Sequence, residues 1–202
     1  MPGLALGILA LYLVLAFGLR SWIQWRRSGS TGYQGISGAV GSAAWLGAVL
    51  FVVATLGVVL GPLCHMLGLL APVEVLDVPS VQLFGLGLAI AGVAATFWSQ
   101  LSMGESWRIG VDQQERTRLV VHGPFRWVRN PIFTSMAVVL GGVFLLTPTA
   151  VAGAALVSLI AALQLQVRTV EEPYLMRTHG SVYRVYAASV GRFLPGIGLL
   201  GG

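Results

Sequence analysis

The sequence predicts an all-α protein, a polytopic helical bundle in a membrane with about five transmembrane helices. Two observations carry this prediction. Only 9% of the 202 residues are charged, whereas soluble domains average roughly 25%. Hydrophobic residues make up 56% of the chain, and the mean hydropathy is +0.83. A water-soluble domain could not cover its surface with so few polar side chains, so soluble and disordered classes are excluded.

Three apolar stretches have the roughly 20 residues that a helix needs to cross the hydrocarbon core. They are residues 3–22, 40–60 and 81–101. The first lacks a charged n-region and is too long for a typical cleaved signal peptide, so we expect it to be retained as a span. In the second stretch, Gly57-x-x-x-Gly61 favours close packing against another helix.

A fourth apolar region, residues 132–167, is interrupted by Thr147-Pro148-Thr149. Thr147 is expected to cap a new helix, with Pro148 at its first position. The interruption therefore predicts a tight helical hairpin of two shorter spans, the fourth and fifth. A short cytoplasmic helical segment is expected to follow them at the C-terminus.

The charges predict the orientation of these spans. All twelve basic residues are Arg, and all lie in segments on one side of the predicted membrane, with five acidic residues and a net charge of +7. The other side has only Glu74 and Asp77, a net charge of −2. The positive-inside rule places the N-terminus outside and the C-terminus in the cytoplasm. The basicity then needs no nucleic-acid partner, and the all-Arg, Gly- and Ala-rich composition suggests a bacterial inner membrane.

Ion transport and metal binding are disfavoured. The spans carry no ionisable residue except Arg20 and Arg168 near their ends, whereas a proton or ion pathway usually needs such groups inside the bundle. Cys64 is the only cysteine, so it can form neither an intramolecular disulfide nor a Cys-based metal site. His122 and His179 lack further ligands, and we predict no metal.

Functional residues concentrate in two predicted cytoplasmic blocks, residues 106–133 and 168–195. Together they hold nine of the twelve Arg and four of the seven acidic residues. These blocks are too short to build a separate cofactor domain. Any active site is therefore expected at the membrane face, between the blocks and the bundle.

In the first block, Asn130-Pro131 is a helix-start signature. Its helix N-terminus offers free N–H groups to an anion such as a carboxylate. The turn at 122–124 just before it contains a Gly that permits close backbone approach. Arg129 is either an anchor at the membrane surface or part of the site.

In the second block, Glu171 and Glu172 follow the fifth span. On a continuing helix Arg168 lies on their face, which allows a local ion pair. Two adjacent carboxylates near a bilayer are costly, so they are alternatively expected to hold a cationic ligand or to accept a proton. Tyr183 and Tyr186 are interpreted as an interfacial aromatic belt.

Five short motifs follow one another in a definite order over about the last hundred residues. They are Leu119-Val120-x-x-Gly123-Pro124-Phe125, Arg129-Asn130-Pro131-x-Phe133, Glu171-Glu172-x-x-Leu175, Tyr183-x-x-Tyr186 and Arg192-Phe193-Leu194-Pro195. The ordered set resembles the isoprenylcysteine carboxyl methyltransferase and phospholipid methyltransferase superfamily of integral membrane enzymes.

The resemblance implies S-adenosylmethionine as methyl donor and a lipophilic acceptor, a lipid or small hydrophobic molecule, that enters from the bilayer. It suggests one membrane-embedded domain over residues 1–202, with three spans in 1–101 and a cofactor-binding catalytic half in 102–202. The prenylcysteine enzymes read Arg-His-Pro-x-Tyr-x-Gly where this chain has Asn130, Phe133 and Ser135 in place of His, Tyr and Gly. The acceptor atom is therefore left open.

Roles follow from the resemblance and the residue chemistry together. Glu171 or Glu172 is expected to bind the donor's ammonium group. The helix start and the preceding turn are expected to bind the donor's carboxylate and its ribose or adenine. Arg129, with Arg168, is expected to orient an anionic acceptor. The candidate catalytic residues are Arg129, Arg168 and Glu172, and the candidate cofactor-binding residues are Leu119, Val120, His122, Gly123, Pro124, Phe125, Asn130, Pro131, Phe133, Glu171 and Glu172.

Two other functions stay open at this point. An NADPH-dependent sterol or lipid reductase has a related C-terminal architecture, and the Arg-rich loop could bind its additional phosphate. A small non-catalytic transport subunit is the other alternative. Residues 26–37, a Gly/Ser-rich loop, either connect two spans or cover the site as a lid. The oligomeric state is not readable from the sequence.

Overall fold

A computed structural model describes residues 1–29, 31, 39–107 and 118–201. Residues 108–117 of the first block, and most of the loop 26–37 with its possible role as a lid, lie outside these ranges. The described residues are mainly helical, and the β-bridges among them are isolated and form no strand. The α-helices are α1 Pro2–Leu13, α2 Arg20–Ser28, α3 Ala43–Met66, α4 Pro79–Met103, α5 Pro131–Leu146, α6 Ala150–Gln166 and α7 Glu172–Ser189.

Two short π-helical segments join consecutive helices. Val14–Leu19 connects α1 to α2, and Val167–Glu171 connects α6 to α7. The regular helix expected after the fifth span is therefore wrong in this stretch. A π-helix closes its hydrogen bonds over five residues instead of four, so it changes the direction of every side chain that follows. Such segments are rare overall, but those that occur are often found at functional sites.

The bundle has the membrane character that the composition predicts. Four helical segments are long and apolar enough to cross a membrane, namely Pro2–Arg26, Ala43–Met66, Pro79–Met103 and Ala150–Ser189. The apolar helix α5 has only 16 residues and so is about 24 Å long, shorter than the roughly 30 Å hydrocarbon core. Half of its residues are buried, because it packs along α4 and also contacts α6. The predicted all-α polytopic bundle is confirmed.

The predicted hairpin is present, but its cap differs. Thr149, and not Thr147, is the N-cap of α6, and its hydroxyl accepts a hydrogen bond from the Ala152 nitrogen at 3.2 Å. The Thr147 hydroxyl instead donates to the Val143 carbonyl at 3.0 Å, one turn back in α5. Pro148 consequently lies before α6 and not at its first position.

Small residues let the long helices approach closely. A methyl group on Gly57 would lie 2.9 Å from the Ala155 Cβ, so α3 and α6 touch there, as the Gly57-x-x-x-Gly61 pattern predicts. On the other side of the bundle, a methyl group on Gly142 would lie 2.5 Å from the Ala89 nitrogen of α4. These two pairs, α3 with α6 and α4 with α5, form the main body of the bundle.

Candidate active site

A cavity of about 360 Å³ lies where the ends of α4 and α6 meet the start of α5. Its wall has a polar part, drawn mainly from the two motif blocks, and an apolar part inside the bundle. The polar part includes Arg118, Arg129, Asn130, Glu171, Glu172, Tyr174, Tyr183 and Tyr186. The apolar part includes Phe17, Ala44, Ala48, Phe51, Val52, Met136, Ala162 and Leu163.

Nine of the residues predicted for the site line this cavity together. They come from three separate segments of the chain: residues 119–130 before α5, the start of α5, and the junction of α6 with α7. They are Leu119, Val120, Phe125, Arg129, Asn130, Pro131, Phe133, Glu171 and Glu172.

Four predicted site residues lie outside the cavity wall. The Arg168 side chain is exposed and donates from Nε to the Gln164 Oε1 at 3.1 Å. His122 is exposed, and Gly123 adopts a positive φ of 59° that lets the chain turn beside Ser102. Pro124 faces a separate groove between α4 and α5. The turn thus positions Phe125 and is not itself part of the cavity wall.

Arg129 fastens the C-terminal segment to the start of α5. Its side chain is 2% exposed. The Nη1 atom donates to the Ala187 carbonyl at 2.7 Å and to the Val190 carbonyl at 2.6 Å, and Nη2 donates to the Gly198 carbonyl at 2.9 Å. The interpretation of Arg129 as an anchor at the membrane surface is therefore wrong, because a buried guanidinium that donates to three backbone carbonyls cannot reach lipid headgroups.

Glu172 is held between two arginines. Its Oε1 accepts hydrogen bonds from Arg129 Nη2 at 2.7 Å and Arg192 Nε at 2.8 Å. Its Oε2 accepts from Arg192 Nη2 at 3.0 Å, so Arg192 binds the carboxylate with two nitrogens. The hydrogen bond to Glu172 raises the pKa of Arg192 above its ordinary value. The sequence-based pairing of Glu172 with Arg168 is wrong, since the π-helical segment between them turns Glu172 toward these partners.

The backbone explains how the two blocks meet. The Arg129 nitrogen donates to the Gly191 carbonyl at 2.8 Å, and the Asn130 nitrogen donates to the Arg192 carbonyl at 3.1 Å. The Asn130 side chain also donates to the Arg192 carbonyl, at 3.0 Å, and makes no cap to α5. Helix α5 begins at Pro131 as predicted, but Asn130 joins two motifs instead of capping a helix.

Tyr183 and Tyr186 face the cavity. Tyr183 is 1% exposed, and the Tyr186 hydroxyl donates to the Phe125 carbonyl at 2.5 Å. Their predicted role as an interfacial belt is wrong. A break in α7 at Gly180, where φ is 53°, lets the second half of the helix direct both rings inward.

One buried charged residue that packs against the cavity wall was not predicted for the site. Arg20 is 1% exposed and donates to the Gln24 Oε1 at 3.0 Å and to the Gly104 carbonyl at 2.6 Å. Its guanidinium carbon lies 4.4 Å from the ring centroid of Trp107, which lines the cavity. The sequence showed only an Arg near the end of a span, which is the usual place for a topological charge.

The wall suits a ligand that carries opposite charges and an aromatic group. The carboxylate of Glu171 can pair with an ammonium group, and the exposed Arg118 with a carboxylate. The rings of Phe125, Trp107 and Tyr183 offer flat surfaces for a heteroaromatic ring. Among the described residues there is no group of three or more His, Cys, Asp or Glu that could hold a metal ion.

Comparison with solved structures shows the same fold in a eukaryotic protein. The chain is similar to the eukaryotic intramembrane Ras methyltransferase, an isoprenylcysteine carboxyl methyltransferase, with a TM-score of 0.60 and 19% sequence identity. The match covers 94% of this chain and 64% of that chain. This chain therefore corresponds to about two thirds of the length of that protein.

Comparison with curated proteins gave no match. The family model described as phospholipid methyltransferase matches residues 81–182, just over half of the 202 residues. The matched region runs from the start of α4 to the middle of α7 and so includes both carboxylates and the α5 start. The chain thus belongs to the phospholipid methyltransferase family.

Proposed function

We propose that this protein transfers a methyl group from S-adenosylmethionine to a lipophilic acceptor at the cytoplasmic membrane face. One observation carries the proposal: a single cavity joins a charged part at the end of the bundle to an apolar part inside it. A soluble, charged donor and an apolar acceptor need such a divided cavity in order to meet. The family membership and the fold shared with a Ras methyltransferase support the same reaction class.

On the donor side, Glu171 is the residue proposed to bind the ammonium group. Both oxygens of Glu172 already accept hydrogen bonds from guanidinium groups, so Glu172 is assigned to positioning Arg129 and Arg192. The first turn of α5 leaves N–H groups without helical partners, which suits the donor's carboxylate. The adenine would lie against the aromatic part of the wall.

The transfer is an in-line displacement. The bond between sulfur and the methyl carbon breaks, and sulfur keeps the electron pair, while a lone pair of the acceptor atom forms the new bond to carbon. An acceptor that carries O–H or N–H also loses a proton, which would pass to water at the polar part of the cavity. The protein contributes alignment of the two reactants and exclusion of competing water.

The predicted roles of two arginines change in this proposal. Arg129 lines the cavity, but its terminal nitrogens hold the C-terminal segment and Glu172, so it acts as a positioning residue. Arg168 is exposed and outside the wall, and it has no proposed part in the reaction.

We further propose that residues 1–202 form one membrane-embedded domain in a bacterial inner membrane, with the N-terminus outside. The arginine distribution supports this orientation, since all twelve Arg lie in sequence segments that are predicted to be on one side of the membrane. The polar part of the cavity would then face the cytoplasm, where a soluble donor is available.

Thermal unfolding of the detergent-purified protein tests the proposal. S-adenosylhomocysteine, the product form of the donor, should raise the midpoint temperature in a concentration-dependent way, and NADPH should not. Stabilisation by NADPH alone would favour the reductase alternative. No stabilisation by either compound would contradict both enzymatic functions and favour a transport subunit.

A further inference from the structure

Gln100 is a buried amide in the cavity wall and has no part in the proposed donor site. It lies in the last turns of α4 and is 3% exposed. Its Nε2 donates to the Ala16 carbonyl at 2.9 Å. Its Oε1 is shielded from solvent and accepts no hydrogen bond from the described part of the chain.

The orientation of this amide is fixed. The Ala16 carbonyl belongs to the π-helical segment Val14–Leu19, and a carbonyl can only accept a hydrogen bond. Gln100 must therefore present its NH₂ group to Ala16, which leaves the side-chain oxygen as the unpaired end. On the backbone, Arg20 Nε lies 3.4 Å from the Gln100 carbonyl and a second nitrogen binds the Gly104 carbonyl, which holds this part of α4 in place.

An unpaired buried carbonyl is unfavourable, and native proteins nearly always give such an oxygen a partner. Gln100 forms part of the wall together with Phe17 and Met103. A donor that enters the cavity is thus the group available to pair with this oxygen. The apolar neighbours indicate that the donor is the head of an otherwise apolar molecule.

The chemistry also limits the kind of head group. A carboxamide oxygen accepts from O–H or N–H and is repelled by a carboxylate. Apolar neighbours such as Phe17 and Met103 disfavour a charged ammonium, because the charge would lose its hydration there. A neutral hydroxyl or N–H group satisfies both conditions.

We propose that Gln100 Oε1 accepts a hydrogen bond from a neutral O–H or N–H head group of the lipophilic methyl acceptor and so selects such acceptors over carboxylates. The inference rests on the proposed methyl transfer and deepens it by naming the acceptor class. It also separates this chain from an enzyme whose acceptor is a carboxyl group. The binding contact itself requires no chemical step.

A matched pair of probes tests the contact. Para-dodecylphenol and para-dodecylanisole differ only in that the first has a donor hydrogen and the second a methyl group in its place. Their binding to the detergent-purified protein with saturating S-adenosylhomocysteine can be followed by tryptophan fluorescence, since Trp107 lines the cavity. The phenol should bind the wild type about tenfold more tightly than the anisole.

Variants separate this contact from general partitioning of the probes. Gln100→Met should bring the ratio of the two affinities close to one, and Gln100→Asn, which retracts the oxygen by one methylene, should also reduce it. Gln82→Met is the matched control on the same helix, outside the cavity wall, and should keep the wild-type ratio. Para-dodecylbenzoate should bind the wild type more weakly than the phenol.

Equal affinity of the wild type for phenol and anisole would overturn the inference. So would a ratio that stays at the wild-type value in both Gln100 variants. The binding of S-adenosylhomocysteine, measured separately, distinguishes failure of the proposed function from failure of the role of Gln100. If the wild type fails to bind it, the proposed function fails; if it binds but shows no phenol preference, only the role of Gln100 fails.

Discussion

The body of the bundle and the cavity end are stabilised by different interactions. Between α4 and α5, and between α3 and α6, contact depends on glycines and alanines that let backbones approach closely. At the cavity end, Arg129 and Arg192 both donate to the Glu172 carboxylate, and Arg129 also donates to carbonyls of the C-terminal segment. A chain with so few charges thus places several of them at one site, and the buried ones there are paired, because an unpaired buried charge is costly.

Among the substitutions considered, Glu172→Gln at the cavity end should lower the stability most. It removes the negative charge between Arg129, whose side chain is 2% exposed, and Arg192. Loss of one partner from a buried ion pair costs about 3 kcal/mol, and the C-terminal segment should loosen. Denaturant titration in detergent measures the free energy of unfolding.

Arg168→Gln is the control for that experiment, since Arg168 lies four residues away, is exposed, and donates to the Gln164 side chain. It should leave the unfolding curve unchanged. If the two variants were equally stable, the cavity end would not depend on its charges.

The helix packing in the body of the bundle can be tested without changing any charged residue. Gly142→Ala places a methyl group 2.5 Å from the Ala89 nitrogen and 2.6 Å from the Gly85 carbonyl oxygen. Both neighbours are backbone atoms and cannot move aside, so we expect a loss of about 2 kcal/mol. The adjacent Gly141→Ala, with nothing within 4 Å of its new methyl, is the control and should be neutral. Equal unfolding midpoints for Gly142→Ala and Gly141→Ala would contradict this close packing of α4 against α5.

The smallest expected effect concerns the hairpin. Thr149→Ala removes the hydroxyl that accepts from the Ala152 nitrogen and should cost about 1 kcal/mol. Thr149→Ser keeps that oxygen and should recover most of the loss. Full stability of Thr149→Ala would mean that the α6 start is held by packing and not by its cap.

The features that depend on local sequence were predictable. Apolar length predicted the long apolar helices, Asn130-Pro131 marked the start of α5, and Gly57-x-x-x-Gly61 indicated a helix contact. Each of these signals lies within a few residues of the feature it predicts. The predicted hairpin is also local, and its error was only in which Thr serves as the cap.

The partners of the buried polar groups were not predictable, because they are distant in sequence. Arg129 binds Glu172 and Gly198, and Arg20 binds Gly104. Composition and periodicity do not indicate which distant carbonyl a guanidinium will reach. The π-helical segments were missed because neither Val14–Leu19 nor Val167–Glu171 carries a residue pattern that distinguishes a π-helix from an α-helix. That omission gave Glu172 the wrong partner.

Calorimetry with S-adenosylhomocysteine is the most direct test of the donor site. The wild type should bind one equivalent, and Glu171→Gln should weaken binding at least about tenfold, because it removes a charged hydrogen bond to the ammonium group. Arg168→Gln, three residues away but outside the cavity wall, should bind like the wild type. Unchanged affinity in Glu171→Gln would contradict the proposed donor site.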